Sequence, residues 1–247
     1  MSNTLRVHEI YRSIQGESTW AGLPCIFIRL TGCPLRCSYC DTAYAFKGGQ
    51  VMDVDSVLDQ VEKLADGGGT AHYGAGKHKM PLVELTGGEP LAQKNSVLLM
   101  KLLVDRGFTV LLETSGSLTT KAVPAEVHVI LDIKTPSSGE SSKNLEENLY
   151  RLKISDEVKF VVSCVEDLDF MRELIERRQL ADCSQILVSW ASPLTPDQSD
   201  PSLKKVPTGL TPVTRLEVVN YILAHRLPVR FQLQMHKFIW PPDEKGV

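Results

Sequence analysis

From Cys25 to Gln234 the chain alternates short apolar, β-branched runs with amphipathic stretches, a rhythm that few folds accommodate. Strands are expected over 25–30, 82–85, 109–113, 127–132, 157–162, 185–189 and 229–234. Helices are expected over 54–64, 96–105, 145–152, 166–178 and 215–225. In the first of these, Val54, Val57, Leu58, Val61 and Leu64 share a face, and the second stops at Gly107. Repeated strand–helix units imply parallel strands with right-handed crossovers, hence a barrel or a doubly wound sheet. A chain of 247 residues can close a sizeable core, and no repeat or boundary divides it, so 1–247 reads as a single domain. Two segments break the rhythm: 66–79, rich in Gly and His, and 192–211, which holds Pro193, Pro196, Pro201 and Pro207. Both are expected to be irregular loop insertions. His72 and His78 lie in the first without a nearby thiolate, which argues for a flexible insertion over a metal site.

Charge and apolar content exclude several classes. Lys and Arg number 27 against 30 Asp and Glu, a net of -3, so nothing global draws the chain to nucleic acid or an anionic membrane. A local basic set (Lys204, Lys205, Arg215, Arg226, Arg230 and Lys237) reads as a solvated face. No run approaches the ~18 apolar residues of a membrane span, and the first residues lack a signal peptide's basic and apolar segments. The expected address is therefore cytoplasmic. Six cysteines in a reducing compartment do not suggest disulfides, and their distribution is uneven. Cys33, Cys37 and Cys40 fall within eight residues, whereas Cys25, Cys164 and Cys183 are scattered like small buried hydrophobes.

Three thiolates in one loop are too few for structural zinc, which takes four closed ligands. A four-iron cluster uses one ligand per iron, so three cysteines leave one iron open to a substrate or cofactor. A second motif, Thr86-Gly87-Gly88-Glu89-Pro90, follows the second expected strand. Its glycines let a ligand approach the backbone closely, and its carboxylate lies nearby. The C-x3-C-x2-C spacing, with Tyr39 before the last cysteine, together with this glycine motif resembles the radical S-adenosylmethionine superfamily. The resemblance implies a [4Fe-4S] cluster on Cys33, Cys37 and Cys40 whose open iron is chelated by S-adenosylmethionine. It also implies a modified, partial (β/α)6-type barrel, with its chemistry at the C-terminal ends of the strands.

Further features narrow the resemblance. Glu9 to Ser18 (EIYRSIQGES) precedes the strand carrying Arg29, Asp41-Thr42 follows the cluster, and the chain closes with Gln234-Met235-His236-Lys237. This set resembles the 7-carboxy-7-deazaguanine synthase family. The family converts 6-carboxy-5,6,7,8-tetrahydropterin to 7-carboxy-7-deazaguanine with loss of ammonia, feeding queuosine and related bases. The resemblance assigns Ile14, Gln15, Gly16, Glu17, Arg29, Thr86, His236 and Pro242 to the pterin. Toward S-adenosylmethionine it assigns Tyr39, Gly88, Glu89 and Ser115, then Asp132-Ile133-Lys134 and Ser192-Pro193-Leu194-Thr195. Thr42 is the implied Mg2+ ligand; a loop-capping hydroxyl explains it equally well. The family often has Ser-Pro-Lys where this chain has Asp132-Ile133-Lys134, Gly where it has Ser18, and a Gln-Pro pair near Ser192. A homodimer and a flavodoxin- or ferredoxin-type electron donor are implied as partners, with no direct contact to nucleic acid. Arg29 interrupts an apolar strand, so a buried partner is expected for it. Two rivals stand beside this reading: a glycyl-radical activase of a partner enzyme, and a non-catalytic zinc-binding interaction module.

Overall fold

The computed structural model describes residues 3–73, 76–241, 244 and 246. Its strands are β1 (Thr4–Ile14), β2 (Pro24–Leu30), β3 (Gln50–Asp53), β4 (Thr70–Tyr73), β5 (Gly76–Lys79), β6 (Leu82–Gly87), β7 (Val110–Thr114), β8 (His128–Ile133), β9 (Glu157–Val162), β10 (Gln185–Trp190) and β11 (Arg230–Gln232). The helices are α1 (Val54–Ala65), α2 (Asn95–Asp105), α3 (Val165–Arg178), α4 (Arg215–Ala224) and the single turn α5 (His236–Ile239). Nine strands form one sheet in the order β11-β10-β9-β8-β7-β6-β2-β1-β3. From β2 to β11 every neighbouring pair is parallel, and β1 adds antiparallel to β2 and β3. The sheet is mixed and does not close, as a partial barrel requires.

Side-chain alternation along each strand divides the sheet into a dry face and a wet one. On the helix side, Ile26, Ile28 and Leu30 of β2 and Val83 and Leu85 of β6 pack with Val57, Leu58 and Val61 of α1 and Leu99 and Leu103 of α2. Farther along, Val158, Phe160 and Val162 of β9 meet Leu168, Met171 and Leu174 of α3. Each such fully buried side chain is worth roughly 1.5–3 kcal/mol, so this face carries the stability. A smaller cluster of Trp20, Phe27, Leu82, Leu111 and Ile130 fills the opposite face near its base. Helix α4 starts where a capping box fixes it: Thr214 N donates to Glu217 Oε2 at 2.7 Å, and Thr214 Oγ1 accepts from Glu217 N.

Three expectations need correction. Segment 66–79 is not irregular: β4 and β5 pair there as an antiparallel hairpin. Its Tyr73 and His78 rings pack on Trp20, both at 4.8 Å between centroids, so the hairpin docks at the base of the wet face. Residues 145–152 form a 3-10 helix over Glu146–Arg151, not an α-helix. Within it, the buried Asn148 side chain turns inward to bond Thr120 N and the Gly116 and Leu118 carbonyls, a set of contacts that ties this turn to the loop after β7. Strands β1 and β3, which the apolar pattern does not announce, extend the sheet past β2. Segment 192–211 does lack strands and long helices; only a 3-10 turn over Pro196–Gln198 interrupts it.

Candidate active site on the polar face of the sheet

The residues that interrupt the apolar strands all point to the wet face. Arg29 of β2 pairs with Thr86 of β6 in register, and Asp132 of β8 with Lys159 of β9. Between them stand Glu84 of β6 and Glu113 of β7, and the row lines a cavity of about 280 Å³. Lys159 is its hub, only 4% exposed. Its ammonium lies 3.1 Å from Glu17 Oε2 and 3.7 Å from Asp132 Oδ2, and is ion-paired with Glu113. Thr86 Oγ1 donates to the other Glu113 oxygen at 3.0 Å. Burial disfavours ionisation of Glu113, but Lys159 and these hydrogen bonds outweigh it and hold the pKa down at about 2. Glu84 behaves oppositely: burial and the Glu113 charge push its carboxyl well above the ordinary range. The Gln15 amide donates to it.

The cysteine loop leaves the end of β2 and is braced from outside the cavity. Arg36 N donates to Glu140 Oε1 at 2.8 Å, and Ser38 Oγ to the Ser137 carbonyl at 2.7 Å. Arg36 Nη1 reaches the Cys33 and Leu35 carbonyls at 2.7 and 2.6 Å. Cys33, Cys37 and Cys40 are free thiols on the wall of the same cavity. Burial raises the thiol pKa of Cys33 to about 11 and of Cys40 to about 12, so it is bound iron that would make them thiolates. Among the described residues no three His, Cys, Asp or Glu side chains converge as ligands of one ion do. A four-iron cluster asks for something else, one thiolate per iron at separate corners, and three free cysteines around one cavity fit it. The other cysteines face elsewhere: Cys25 and Cys164 are buried, and Cys183 Sγ contacts the Leu180 carbonyl.

The glycine motif abuts this loop. Gly88 N donates to the Leu30 carbonyl and Glu89 N to the Gly32 carbonyl, at 3.0 and 2.8 Å. A Cβ on Gly88 would strike the Gly32 carbonyl oxygen, and Gly87 has a φ of 138°, so the close approach requires both glycines. Tyr39, Gly88, Ser115, Asp132, Lys134 and Ser192 line the cavity. Lys134 Nζ sits 3.0 Å from Asp132 Oδ2, and Asp132 Oδ1 is buried without a partner among the described residues.

Other residues expected at the cofactor are not on the wall. Glu89 is completely buried, and its oxygens accept from Thr114 Oγ1, Ser115 N, Ser115 Oγ and Leu91 N, so it ties the end of β6 to β7. Ile133 points to the dry core, because it alternates with Asp132. Pro193, Leu194 and Thr195 turn away from the cavity; Thr195 N closes a local turn onto Gln198 Oε1 at 3.1 Å.

The two chain ends meet over the row of charges. Gln234 Nε2 donates to Glu17 Oε1 at 2.8 Å, and Met235 N to the Gly16 carbonyl at 2.9 Å. A Cβ on Gly16 would lie 2.7 Å from His236 Nδ1, so glycine admits the α5 turn. Ile14, Gln15, Gly16, Glu17, Arg29, Thr86 and His236 all border the cavity, whereas Pro242 lies outside the described residues. Arg29 has two half-buried partners: Nε donates to Glu9 at 2.7 Å and Nη2 to the Tyr11 hydroxyl at 3.1 Å. No hydrogen bond is formed by its Nη1 among the described residues. Thr42 also borders the cavity; its hydroxyl donates to Asp41 Oδ1 at 3.0 Å and does not cap the 3-10 turn that follows. Lys237 pairs with Asp41 at 2.7 Å; although burial opposes it, this pairing holds the carboxyl at about 2. Sequence reasoning missed Glu84 and Lys159 as site residues, although both carry the signal that exposed Arg29, a charge at the inward position of an apolar strand.

Comparison with known proteins agrees with this arrangement. The radical SAM superfamily pattern matches residues 27–138. The 7-carboxy-7-deazaguanine synthase of Koribacter versatilis is 41% identical over 250 residues, covering 98% of this chain and all of the relative. That of Chlorobaculum tepidum is 38% identical over 98% of this chain and 97% of its own length. Among solved structures, QueE from Escherichia coli superposes with a TM-score of 0.65 at 22% identity, covering 93% of this chain and 94% of that one, a likeness of fold. With relatives this similar aligned along nearly its whole length, the chain belongs to the 7-carboxy-7-deazaguanine synthases of the radical S-adenosylmethionine superfamily.

Proposed function

We propose that the chain converts 6-carboxy-5,6,7,8-tetrahydropterin to 7-carboxy-7-deazaguanine with loss of ammonia. One observation carries the reading: the Ile14–Glu17 segment, Arg29 and the three cysteines, apart in sequence, border one small cavity. When bound, the superfamily's [4Fe-4S] cluster and S-adenosylmethionine supply a 5′-deoxyadenosyl radical able to take hydrogen from carbon. The chain's own residues orient the pterin and keep water out. Arg29 meets the pterin carboxylate through its Nη1 edge, while Glu9 and Tyr11 hold the other edge. Glu17 accepts from the amino-pyrimidine edge, and Thr86 stands between them on β6. Gly88, Tyr39, Ser115, Asp132, Lys134 and Ser192 face the S-adenosylmethionine side. Thr42, with its proton engaged by Asp41, would hold Mg2+ through its hydroxyl oxygen, the ion serving to polarise substrate oxygens.

The radical chemistry calls for a one-electron donor of flavodoxin or ferredoxin type. Exposed Leu216 and Leu223 on α4 offer apolar surface to a homodimer. No helix among the described residues is long and apolar enough to cross a membrane, and six free thiols suit the reducing cytoplasm. The test is anaerobic incubation with reductant, S-adenosylmethionine and the pterin, followed by mass analysis. A product lighter than the pterin by one ammonia supports the reading; cleavage of S-adenosylmethionine with the pterin untouched overturns it.

A further inference from the structure

Resting on that reading and deepening its substrate side, we propose that Lys159 is a positioning residue for the pterin: its ammonium holds the Glu17 and Glu113 side chains in place against the substrate's donor edge. Lys159 lies in β9 between Val158 and Phe160, which face the dry core, so the pleat turns it, with Val161, toward the cavity, and it is the strand's charged group there. Burying an ammonium costs several kcal/mol unless it is paired. One carboxylate would suffice, yet three surround it: Glu17, Glu113 and Asp132. The charged and titratable groups facing it from the neighbouring elements are Glu17 after β1, Glu84 on β6, Glu113 on β7, Asp132 and Lys134 at the end of β8, and Glu157 on β9 itself. Glu84 is the acid whose pKa burial and the neighbouring Glu113 charge push well above the ordinary range, and the Gln15 amide bonds it. The ammonium is thus spent on the other acids.

The geometry of Glu17 shows what remains for a ligand. Oε2 is taken by Lys159 and Oε1 by the Gln234 amide. A carboxylate oxygen accepts twice, so each still has one lone pair, and together they accept two parallel N–H bonds. A 2-amino-4-oxopyrimidine ring presents two parallel N–H donors of this kind. Recognition therefore depends on where the two Glu17 oxygens stand, and Lys159 with Gln234 holds them there.

The experiment is calorimetric binding of 6-carboxytetrahydropterin, and of its analogue lacking the 2-amino group, to cluster-loaded protein with S-adenosylmethionine under anaerobic conditions. Lys159→Met should bind the pterin at least ~10-fold more weakly, the scale of losing one positioned hydrogen bond to a charged group. It should bind the analogue as wild type does, because that ligand offers Glu17 only one donor. Where that variant does not fold, Lys159→Met/Glu113→Gln removes the cation and one carboxylate together, and the same selective loss should appear. A folded variant of either kind with wild-type affinity for the pterin, or with equal loss for both ligands, overturns the assignment to Lys159. Wild-type protein that does not bind the pterin overturns the substrate reading and this inference with it.

Discussion

Arg29 shows how one side chain serves two masters. Glu9 and Tyr11 hold its Nε and Nη2, which fixes the plane of the guanidinium in β2 and leaves the Nη1 edge toward the cavity. Lysine keeps the charge but has no second edge, so Arg29→Lys is expected to lose most pterin turnover. Uncoupled cleavage of S-adenosylmethionine, which draws on the cysteine loop, should survive; equal loss of both, read by chromatography of the cleavage product, would make Arg29 a structural residue only. Thr42 permits a similar separation. Its hydroxyl proton is engaged by Asp41, which leaves the oxygen a lone pair to offer a cation. Omitting Mg2+ should slow product formation more than radical generation, and Thr42→Ala should mimic that omission while Thr42→Ser keeps much of the rate. If Thr42→Ala titrates with Mg2+ as wild type does, the hydroxyl is not a ligand.

Elements were legible where their apolar period is clean and illegible where polar residues serve the site or the edge. Strands β2 and β6–β10 read directly because their dry-face residues are aliphatic, and α1 and α3 read from one buried stripe. Strand β1 escaped notice because Arg6, His8, Glu9 and Arg12 dilute its alternation, although Leu5 and Val7 are buried. The β4–β5 hairpin hid behind glycine, since what pins it is a long-range contact of Tyr73 and His78 with Trp20. The cysteine loop and the glycine motif were legible as chemistry, but the sequence does not reveal that Glu89 is bonded by Thr114 and Ser115. Motif position fixes which strand end a residue occupies; pleat and neighbours fix where its side chain goes. The glycine turn gives a prediction at this scale. A methyl on Gly88 meets the Gly32 carbonyl, backbone against backbone, so the turn and the cysteine loop must separate. Gly88→Ala should leave the sheet folded by circular dichroism, while S-adenosylmethionine affinity falls by more than ~10-fold, the scale of losing one or two positioned hydrogen bonds. Wild-type affinity in that variant would mean that the turn does not form part of the cofactor's seat.

At the scale of the whole molecule the sheet carries two opposed designs, an aliphatic face that stabilises and a charged face that the first must hold together. That division predicts how stability responds to acid. Glu113 is held at about 2 against an ordinary 4.5, and Asp41 at about 2 against 3.8, in both cases by ammonium partners that overcome burial. A carboxyl with a depressed folded pKa contributes stability that is complete above its ordinary value and lost as pH falls toward the folded one. Both contributions should therefore disappear between pH 4.5 and about 2. Glu84 works in the other sense and at higher pH: burial and the Glu113 charge raise its pKa, so acidification relieves it above 4.5 and is done before this window. Nothing from Glu84 then offsets the other two, and the urea midpoint of the cluster-free chain is expected to fall steadily from pH 4.5 toward 2. Lys237→Met separates the contributions: it removes the Asp41 partner at the α5 turn and leaves Lys159 and Glu113 in place. Its midpoint should start lower at neutral pH and fall less steeply, approaching wild type as pH drops through about 2, where wild-type Asp41 takes up its proton. Parallel curves for the two proteins would place the acid sensitivity entirely at Glu113 and leave the Asp41–Lys237 pair without a share in holding the α5 turn to the cysteine loop.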